Sequence, residues 1–366
     1  MQKIKVNLRD RGYEIRIQKG ILGRFADMTR DLKNKKFVIL SSAEIFKKYG
    51  GRIQTSLKRM KISPEVILIR EGEQNKNEKT LFNILKRMAG LGIQRDWCLV
   101  VLGGGVIGDI GGFAASIYMR GINFVQVPTT LLAQVDASIG GKTAIDFVGI
   151  KNLVGTFYQP SLVLTDPEVL KSLDDRQYKT GLAEIVKYGV IQDAQMFRRI
   201  ESNQRLIREK DGNFLSYLIG RSCEIKAKIV SLDEKESGKR AWLNYGHTLG
   251  HALESYFGYK TFTHGEAVAH GMVFAAGLSY RLGLCHQEVS ERLHRLLSGI
   301  GLLRPLPRFN PEKILEKMSL DKKARDGQVQ FVLTRKIGLV TIQKNIPNPL
   351  LLSALNHFQR EVNNPH

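Results

Sequence analysis

The sequence predicts an N-terminal α/β domain with a Rossmann-like parallel sheet over residues 1–172, followed by a mainly α-helical C-terminal domain over residues 173–366. The 366 residues exceed what one small core usually contains, and 43% of them are hydrophobic. Short apolar runs alternate with helical patterns in the first half, whereas long helical patterns dominate the second. Pro167, Asp174 and Asp175 interrupt the periodicity between the halves, so the boundary is expected there.

The strands of the first half are predicted from short apolar runs that end at turn-forming residues. These runs are 37–41, 66–69, 98–102, 124–127 and 162–165. A helical pattern over 80–89 ends near Gly90 and Gly92, as expected for a C-cap. Strands separated by helices predict parallel pairing with right-handed crossovers, and such sheets bind ligands at the carboxyl ends of their strands.

The second half is predicted to be mainly helical. The helical patterns cover 179–190, 212–234, 243–257, 265–282 and 286–299. Pro305 and Pro307 then interrupt the chain, and a late strand pair is predicted over 328–333 and 339–343, joined around Gly338. No internal repeat or low-complexity segment accompanies these elements.

Composition limits the class of protein. The chain has no run of about 18 apolar residues and its start lacks the apolar core of a signal peptide, so a cytoplasmic protein without membrane association is expected. Cys98, Cys223 and Cys285 are odd in number and far apart, which predicts reduced thiols instead of disulfides or a zinc knuckle. The net charge of +21 suits nucleic acid or an anionic substrate, but the basic residues are dispersed, and no nucleic-acid partner is expected.

Residues 103–108 fit the pattern G-x-G-x-x-G directly after a predicted strand and before a helical pattern. Glycines allow the backbone to approach a pyrophosphate, and the helix N-terminus offers free N–H groups. The alternative is a tight strand-to-helix turn without a ligand. An ordinary dinucleotide unit also has an acidic residue about 20 positions further on, whereas no acid lies between Asp109 and Asp136. Cofactor partners are therefore expected elsewhere, in 72–76 or 128–130.

Residues 140–143 resemble the end of a phosphate-binding P-loop. The first glycine of that motif would fall at position 136, which is Asp, so a Walker-type nucleotide site is not expected. Lys142 remains a candidate for contact with a ligand phosphate or a cofactor.

Histidines and one buried carboxylate form a candidate metal site. His247 and His251 are four residues apart and share one face of a predicted helix. His264 begins the next helix, and Glu184 lies in an apolar helix where a carboxylate needs a partner. Three protein ligands with one open position is typical of catalytic zinc, although spacing alone does not decide which histidines bind. The alternative is that the paired histidines are hydrogen-bonded core residues. The Glu of H-E-x-x-H is missing, which disfavours a zinc protease.

Together, these segments resemble the 3-dehydroquinate synthases over nearly the whole chain, and they occur in the family's order. The matching segments are 72–76, 103–109, 118–121, 126–136, 140–143, 151–152, 159–160, 181–187, 240–251 and 264–268. The resemblance implies binding of NAD and of a divalent metal, normally Zn²⁺ with Co²⁺ as an alternative, in a homodimer.

The resemblance also implies roles for individual residues. The implied metal ligands are Glu184, His247 and His264, which makes His251 an acid–base residue or a neighbour of the ligands. The implied NAD contacts are Glu73, Lys76, Gly103, Gly104, Gly105, Val106, Asp109, Thr129, Thr130, Asp136, Lys142 and Lys151. The implied substrate contacts are Asp136, Lys142, Asn152, Lys187, Lys226, Arg240, Asn244, His251, Lys336 and, across the dimer interface, Arg120. Among these, Lys142, His251, Lys187, Arg240 and Asn244 are the implied catalytic residues.

The implied reaction converts 3-deoxy-D-arabino-heptulosonate 7-phosphate to 3-dehydroquinate and phosphate, a step of aromatic amino-acid biosynthesis. A ring alcohol is transiently oxidised by NAD, phosphate is eliminated, the hydride returns, and an intramolecular aldol step closes the carbocycle. Arg240 is expected to bind the substrate carboxylate, because a guanidinium can do so with two hydrogen bonds. Lys142, Asn152 and Arg120 are expected around the phosphate.

Three alternatives remain. A related cyclase acting on sedoheptulose 7-phosphate or glucose 6-phosphate would bind a substrate without the carboxylate. A metal-dependent polyol dehydrogenase would produce NADH in net amounts. A basic nucleic-acid-binding protein would account for the charge but not for the glycine loop or the Glu and His residues.

Two departures from the family pattern stand out. Residues 144–147 read Ala-Ile-Asp-Phe, where the family usually has Ala or Gly, an apolar residue and Asn, and this change is expected to alter hydrogen bonding near the substrate loop. Ser41 and Ser42 end an early strand where an acidic or amide residue often contacts the adenosine ribose, so weaker NAD binding is expected.

Overall fold

The computed structural model describes residues 1–32, 36–236, 238–320 and 329–363. The strands are β1 (Gln2–Val6), β2 (Tyr13–Ile17), β3 (Lys36–Ser42), β4 (Glu65–Ile69), β5 (Trp97–Gly103), β6 (Asn123–Pro128), β7 (Lys142–Phe147), β8 (Ile150–Phe157), β9 (Leu162–Thr165), β10 (Gln330–Lys336) and β11 (Leu339–Lys344). The helices are α1 (Phe25–Met28), α2 (Ala43–Ile45), α3 (Gly51–Lys58), α4 (Glu78–Gly90), α5 (Gly105–Ile117), α6 (Asp175–Gln192), α7 (Ala194–Ser202), α8 (Gln204–Arg208), α9 (Gly212–Leu232), α10 (His247–Tyr256), α11 (His264–Arg281), α12 (Gln287–Gly299), α13 (Pro311–Leu320) and α14 (Asn348–Asn363).

The chain forms two compact units. The first contains Met1–Leu173 and Gly212–Lys235, and the second contains Asp174–Asp211 and Glu236–His366. The predicted change of domain after residue 172 is thus close to the observed one, but the assignment of all of 173–366 to one domain needs a correction. The segment that contains α9 belongs to the first unit, where α9 packs against β1 and the turn over Ala133–Ala137. Its apolar face, which includes Leu215, Leu218 and Ile219, is buried there.

The first unit contains the predicted parallel sheet. Its seven strands follow the order β1-β2-β9-β6-β5-β3-β4, and every neighbouring pair is parallel except β1 and β2. The seven residues of β5 are all buried, which agrees with their continuous apolar sequence and with helices covering both faces. β3 lies directly beside β5, so the carboxyl ends of β3, β5 and β6 meet at one edge of the sheet.

The first unit also contains a separate hairpin. β7 and β8 pair antiparallel and pack against α5, with Thr143 Oγ1 and Thr156 Oγ1 3.0 Å apart across the pair. Neither this hairpin nor the β1–β2 pair is among the predicted strands. Their alternating and exposed sequences lack the continuous apolar runs from which the central strands were predicted.

The second unit is mainly helical, as predicted. α11 is buried along most of its length and packs against α6, α10 and α12. The predicted helix over 243–257 is two elements: a 3-10 helix, Lys239–Asn244, and α10, which begins at His247. Gly246, with φ of 79°, separates them, because this left-handed conformation ends helical geometry.

The late strand pair forms the antiparallel hairpin β10–β11. Gln328, the first residue of the predicted strand, lies outside the described residues. No helix in the described part of the chain combines the length and the hydropathy needed to cross a bilayer.

Candidate functional site

Glu184 is the central carboxylate of the second unit. It lies in α6, a helix whose N-cap is Asp174 and whose residues from Thr180 to Ile191 are all buried. The side chain of Glu184 is fully buried, and Lys187, one turn further on, forms an ion pair with it. Burial of a carboxylate is costly unless cations or hydrogen-bond donors surround it, so this position requires a cluster of polar groups.

Two histidines present ring nitrogens to Glu184. The Nε2 atoms of His247 and His264 lie 3.6 Å and 3.7 Å from Glu184 Oε1. Both residues begin helices: His247 follows the left-handed Gly246, and His264 follows Thr263, whose side chain forms a capping box with Glu266. These helix starts place the two rings toward the same carboxylate.

The other ring nitrogen of each histidine is also occupied. His247 Nδ1 lies 3.1 Å from the backbone carbonyl of Tyr245, and His264 Nδ1 lies 3.2 Å from Glu254 Oε2. Because a carbonyl or carboxylate oxygen accepts, each Nδ1 carries the proton and donates it. The Nε2 atoms of both rings are therefore oriented to bind at the Glu184 side.

His251 lies beside this pair. Its ring centroid is 5.3 Å from that of His247 and 5.9 Å from that of His264. Among the described residues, two sets of side chains are close enough to hold a metal ion: Glu184 with His247 and His264, and His251 with Glu254 and His264. Only the first set has a fully buried carboxylate, and His251 is exposed.

The pKa shifts of His247 and His264 are consistent with a cation bound beside Glu184. Burial, followed by the charge of Lys187, lowers the pKa of His247 to about 3, so this imidazole is neutral at pH 7 and its lone pair is available. Burial also lowers the pKa of His264, but the hydrogen bond with Glu254 and the negative charges of Glu254 and Glu184 outweigh it and raise the pKa to about 10. His264 thus carries a positive charge between the carboxylates of Glu184 and Glu254, and a divalent cation can supply that charge instead. One carboxylate and two imidazoles fit Zn²⁺ or Co²⁺ with an open position.

The remaining implied residues of the second unit lie on three elements, and two of them, Arg240 and Asn244, belong to the 3-10 helix Lys239–Asn244. Arg240 is 2% exposed and is among the largest buried side chains. Asn244 Nδ2 donates to Glu236 Oε1 at 3.0 Å. Lys336 is exposed at the end of β10, and no contact joins it to the histidines within the described ranges. Lys187, in α6, forms the ion pair with Glu184 described above.

In the first unit, the glycine loop has the form that the motif predicts. Gly103 ends β5, and α5 begins at Gly105, so Val106 and Asp109 lie in its first two turns. A Cβ at Gly104 would lie 2.9 Å from Thr130 Cγ2, which leaves room for glycine alone.

Two threonines follow β6 beside this loop. The backbone N–H of Thr129 donates to the Gly103 carbonyl at 3.0 Å. Thr129 Oγ1 is buried and makes no hydrogen bond within the described part of the chain, so it is available to a ligand at this sheet edge. These features fit the pyrophosphate of a dinucleotide.

A buried lysine joins several implied cofactor and substrate residues. Lys76 Nζ donates to Asp109 Oδ2 at 2.6 Å and to Asn152 Oδ1. Burial lowers the pKa of Lys76, but the charge of Asp109 outweighs it, and the net shift is upward. The Asn152 N–H donates to Asp146 Oδ1 at 2.9 Å, and the Asp146 N–H donates to the Lys76 carbonyl at 2.8 Å. Asp146, the departure seen in the sequence, thus connects the β7–β8 hairpin to Lys76.

The other implied residues of the first unit occupy four places. Lys226 Nζ contacts both the carbonyl and Oδ1 of Asp136 at 2.7 Å, which joins α9 to the Ala133–Ala137 turn. Lys151 Nζ lies 3.8 Å from Glu73 Oε1. Lys142 begins β7 with an exposed side chain, and Arg120 is exposed in a 3-10 turn with φ of 66°.

Sequence reasoning missed two acidic residues. Glu254, which holds His264, is seven positions after His247 on α10, and a carboxylate in that apolar helix was the available signal. Glu71, which contacts Ser42, follows β4 and precedes the implied segment 72–76 by one residue. Neither contact is local in sequence, so only the fold identifies them.

Comparisons with known proteins agree on one family. Models described as 3-dehydroquinate synthase N-terminal and C-terminal match residues 66–180 and 181–324. The 3-dehydroquinate synthase of Thermodesulfovibrio yellowstonii is 45% identical over 358 residues, covering 97% of this chain and 100% of that protein.

Two solved structures have the same fold throughout. One is 2-deoxy-scyllo-inosose synthase complexed with carbaglucose-6-phosphate, NAD⁺ and Co²⁺, at TM-score 0.88 and 25% identity, covering 97% of this chain and 100% of that one. The other is 2-epi-5-epi-valiolone synthase from Streptomyces hygroscopicus subsp. jinggangensis with NAD⁺ and Zn²⁺ bound, at TM-score 0.88 and 26% identity, covering 95% and 97%. With both halves matched by its models and a near full-length relative within it, the chain belongs to the 3-dehydroquinate synthase family.

Proposed function

We propose that this protein is a carbon–oxygen lyase that forms 3-dehydroquinate and phosphate from 3-deoxy-D-arabino-heptulosonate 7-phosphate. The observation that carries the proposal is the convergence of His247 and His264 on the buried carboxylate of Glu184. Membership of the family and the glycine loop after β5 support it.

NAD and a divalent metal, Zn²⁺ or Co²⁺, are the proposed cofactors. The structures of 2-deoxy-scyllo-inosose synthase and 2-epi-5-epi-valiolone synthase contain NAD⁺ with one or the other of these ions. When bound, NAD would supply reversible oxidation of an alcohol, and the metal would supply a Lewis acid. Glu184, His247 and His264 would hold the metal. The backbone around Gly104, together with Thr129 and Thr130, would hold the pyrophosphate.

The proposed substrate carries a carboxylate, which distinguishes it from the substrates of related sugar-phosphate cyclases. Arg240 is the proposed carboxylate contact, because a guanidinium binds a carboxylate with two hydrogen bonds and this one is buried in the second unit. Asn244 precedes α10 by three residues and would orient the same end of the substrate.

Two lysines and an asparagine of the first unit and one exposed histidine of the second have different proposed roles. Lys142, Asn152 and Lys226 would bind the substrate, with Lys142 and Asn152 at the phosphate. His251 is exposed beside the two histidines at Glu184 and would move a proton, since the nitrogens of an imidazole can both accept and donate one. Lys336 is a further proposed substrate contact.

The test incubates the purified, zinc-loaded protein with NAD and the heptulosonate phosphate. Phosphate release and absorbance of NADH are followed together, with and without a chelator. Stoichiometric phosphate release without NADH accumulation, lost on chelation, is the expected result. Steady NADH accumulation would instead identify a dehydrogenase. Phosphate release from sedoheptulose 7-phosphate alone would identify a related cyclase.

A homodimer is also proposed, with Arg120 acting in the partner's site. The β7–β8 hairpin exposes Val148, Ile150 and Leu153, which are 74%, 53% and 51% exposed. The end of α5 adjoins this hairpin, because Thr156 Oγ1 on β8 donates to Ser116 Oγ at 2.9 Å, and Arg120 follows shortly after. Several exposed apolar side chains on one hairpin are typical of an interface between subunits.

Subunit mixing tests the proposed role of Arg120. Arg120→Ala and Glu184→Gln proteins are each expected to be inactive. If Arg120 acts across the interface, mixed dimers contain one complete site, and random exchange restores about a quarter of the wild-type activity. Mixtures that stay inactive although differently tagged subunits co-purify would place Arg120 in its own subunit's site, and an active Arg120→Ala protein would place it outside any site.

The proposed location is the cytoplasm. Cys98, Cys223 and Cys285 are all free thiols. Burial raises the pKa of the Cys98 and Cys223 thiols, which keeps them protonated and unreactive. Free thiols of this kind are typical of a reducing compartment.

A further inference from the structure

Glu266 is a buried carboxylate two residues after the proposed ligand His264. The Thr263 N–H donates to Glu266 Oε2 at 2.8 Å, and the Glu266 N–H donates to Thr263 Oγ1 at 3.4 Å, which completes the capping box at the start of α11. His264 lies between these two residues, so the box fixes its backbone. The side chain of Glu266 is 5% exposed, and a carboxylate buried to this extent requires a cationic partner.

Arg176, in the first turn of α6, is that partner. Its Nε donates to Glu266 Oε1 at 3.1 Å and its Nη2 donates to Glu266 Oε2 at 2.8 Å, so two hydrogen bonds join the guanidinium and the carboxylate. Nη2 also donates to the Thr261 carbonyl at 2.9 Å. Arg304 is farther away, with Nη1 3.8 Å from Glu266 Oε1. Arg176 thus ties the chain on both sides of His264 to the start of α6.

A second contact joins the same two helices between Arg176 and Glu184. A Cβ at Gly265 would lie 2.5 Å from Thr180 Cα and 2.6 Å from the Thr180 carbonyl oxygen, so this close approach requires glycine. Arg176, Thr180 and Glu184 follow one another at intervals of four residues and share one face of α6. The start of α11 therefore rests on the face of α6 that carries Glu184.

Three consecutive residues at the start of α11 meet three successive turns of α6. The pairs are His264 with Glu184, Gly265 with Thr180 and Glu266 with Arg176. Because the middle pair is in backbone contact, it can act as a pivot between the other two. Loss of the pair at Arg176 would let the start of α11 rotate about this contact and would move the imidazole at Glu184.

We propose that the Arg176–Glu266 pair positions His264 so that its Nε2 is held at the metal site beside Glu184. This inference rests on the proposed function, because it assumes the proposed ligands Glu184, His247 and His264. Groups that orient a ligand without touching the ion affect both the affinity and the geometry of a metal site. The alternative is that the pair only stabilises the start of α11, in which case its loss would resemble the loss of any similar ion pair in this unit.

Arg292 and Glu201 form a matched ion pair in the same unit. Arg292 Nε and Nη2 donate to Glu201 Oε1 and Oε2 at 3.0 Å and 2.7 Å, so the same two-bond geometry joins α12 to α7. Neither helix carries a proposed metal ligand. Arg292→Met therefore removes an equivalent pair away from the metal site, and it is the control for Arg176→Met.

The experiment measures Co²⁺ binding to the full-length protein, with chelator competition for the affinity and visible absorption for the geometry of the bound ion. Arg176→Met is expected to weaken Co²⁺ binding roughly tenfold, the lower end of the usual effect of losing a group behind a metal ligand, and to change the visible spectrum. Arg292→Met is expected to keep the wild-type affinity and spectrum. Glu266→Gln retains an oxygen for the capping box but loses the charge, so it is expected to change both readouts in the same direction as Arg176→Met.

The outcomes separate this inference from the proposed function. Wild-type affinity and spectrum in Arg176→Met would overturn the positioning role, as would equal changes in Arg176→Met and Arg292→Met. Unfolding of the metal-free variants is recorded, and if Arg176→Met does not fold, wild-type Co²⁺ binding by Glu266→Gln would overturn the role instead. A wild-type protein that binds no Co²⁺ would overturn this inference together with the metal site. A wild-type protein that binds Co²⁺ but releases no phosphate from the heptulosonate phosphate would overturn the proposed function alone.

Discussion

At the scale of single residues, Glu254 is the side chain whose replacement should affect metal binding while leaving all three proposed ligands in place. Its carboxylate accepts from His264 Nδ1 and thereby turns Nε2 toward Glu184. We expect Glu254→Gln to weaken Zn²⁺ or Co²⁺ binding by about 10- to 100-fold, the usual effect of losing a carboxylate behind a histidine ligand. Competition with a chromophoric chelator measures this affinity directly.

The control for Glu254 is the stability of the metal-free protein. A positioning role predicts that Glu254→Gln and wild type unfold at similar denaturant concentrations without metal and differ when metal is present. A variant that is less stable without metal, yet binds the ion with wild-type affinity, would show that Glu254 contributes to packing only.

His270 gives the second unit a pH-dependent stability. Its Nε2–H donates to the Arg304 carbonyl at 2.9 Å, and the ring packs between Phe262 and Phe358. Burial lowers its pKa from 6.5 to about 4. The unfolded chain therefore takes up the proton first, and stability is lost as pH falls from about 6.5 toward about 4.

The loss from this group is expected to reach roughly 3 kcal/mol across that window. Urea unfolding of the wild type and of His270→Gln between pH 7 and pH 4.5 tests it. The variant should be less stable at pH 7 but lose less stability on acidification. Parallel losses in the two proteins would mean that other groups cause the acid sensitivity.

The metal site shows which residues sequence patterns can identify. The i, i+4 spacing of His247 and His251 correctly places two histidines on one helix face, but it cannot choose between them. The choice depends on Glu184, which comes from a helix about 60 residues earlier and is placed by tertiary packing. The family resemblance implied the set Glu184, His247 and His264, and the structure brings these three side chains together.

At the scale of elements, the close packing of α10 against α11 positions both histidines. A Cβ at Gly271 would overlap the carbonyl oxygen of Gly246, and one at Gly250 would lie 3.2 Å from the carbonyl oxygen of Ala267. We expect Gly271→Ala to destabilise the protein by about 1–3 kcal/mol, as overpacking usually does. It should also lower metal affinity, because the helices that begin at His247 and His264 would move apart.

Gly277→Ala on the same helix is the matched control. Its nearest neighbour is Ser290 Oγ at 3.9 Å, so a methyl group fits. Replacing glycine within a helix should then stabilise the protein by roughly 0.5–1 kcal/mol. Denaturant unfolding and chelator competition measure both variants. Equal stability of Gly271→Ala and Gly277→Ala would show that the α10–α11 contact has room to adjust.

The elements predicted correctly are those with strong local patterns. The runs that became β3, β5 and β6 are continuous and apolar because both faces of the sheet are covered. The return of α9 to the first unit could not be predicted, because helical periodicity gives the apolar face of a helix but not the unit that covers it. The break before α10 depends on the left-handed Gly246, whose conformation is set by its contact with α11.

At the scale of the whole molecule, the net charge of +21 remains to be related to function. The proposed substrate carries a carboxylate and a phosphate, so a positive protein attracts it over long distances. Such attraction raises the rate of encounter by about 10- to 1000-fold at low salt. It does not change the chemical step, which occurs after the substrate is bound.

The charge therefore predicts different salt dependences for the two kinetic constants. Because the screening length falls from about 30 Å at 0.01 M to about 8 Å at 0.15 M, kcat/KM should fall about tenfold or more between 0.01 M and 0.5 M sodium chloride. We expect kcat to change by less than about twofold, because it reports on the bound complex. Steady-state assays at fixed saturating NAD measure both constants, and binding of NADH across the same salt range controls for loss of cofactor. If kcat/KM stayed constant over this range while NADH remained bound, the positive charge would have no role in substrate capture, and solubility or another anionic partner would have to account for it.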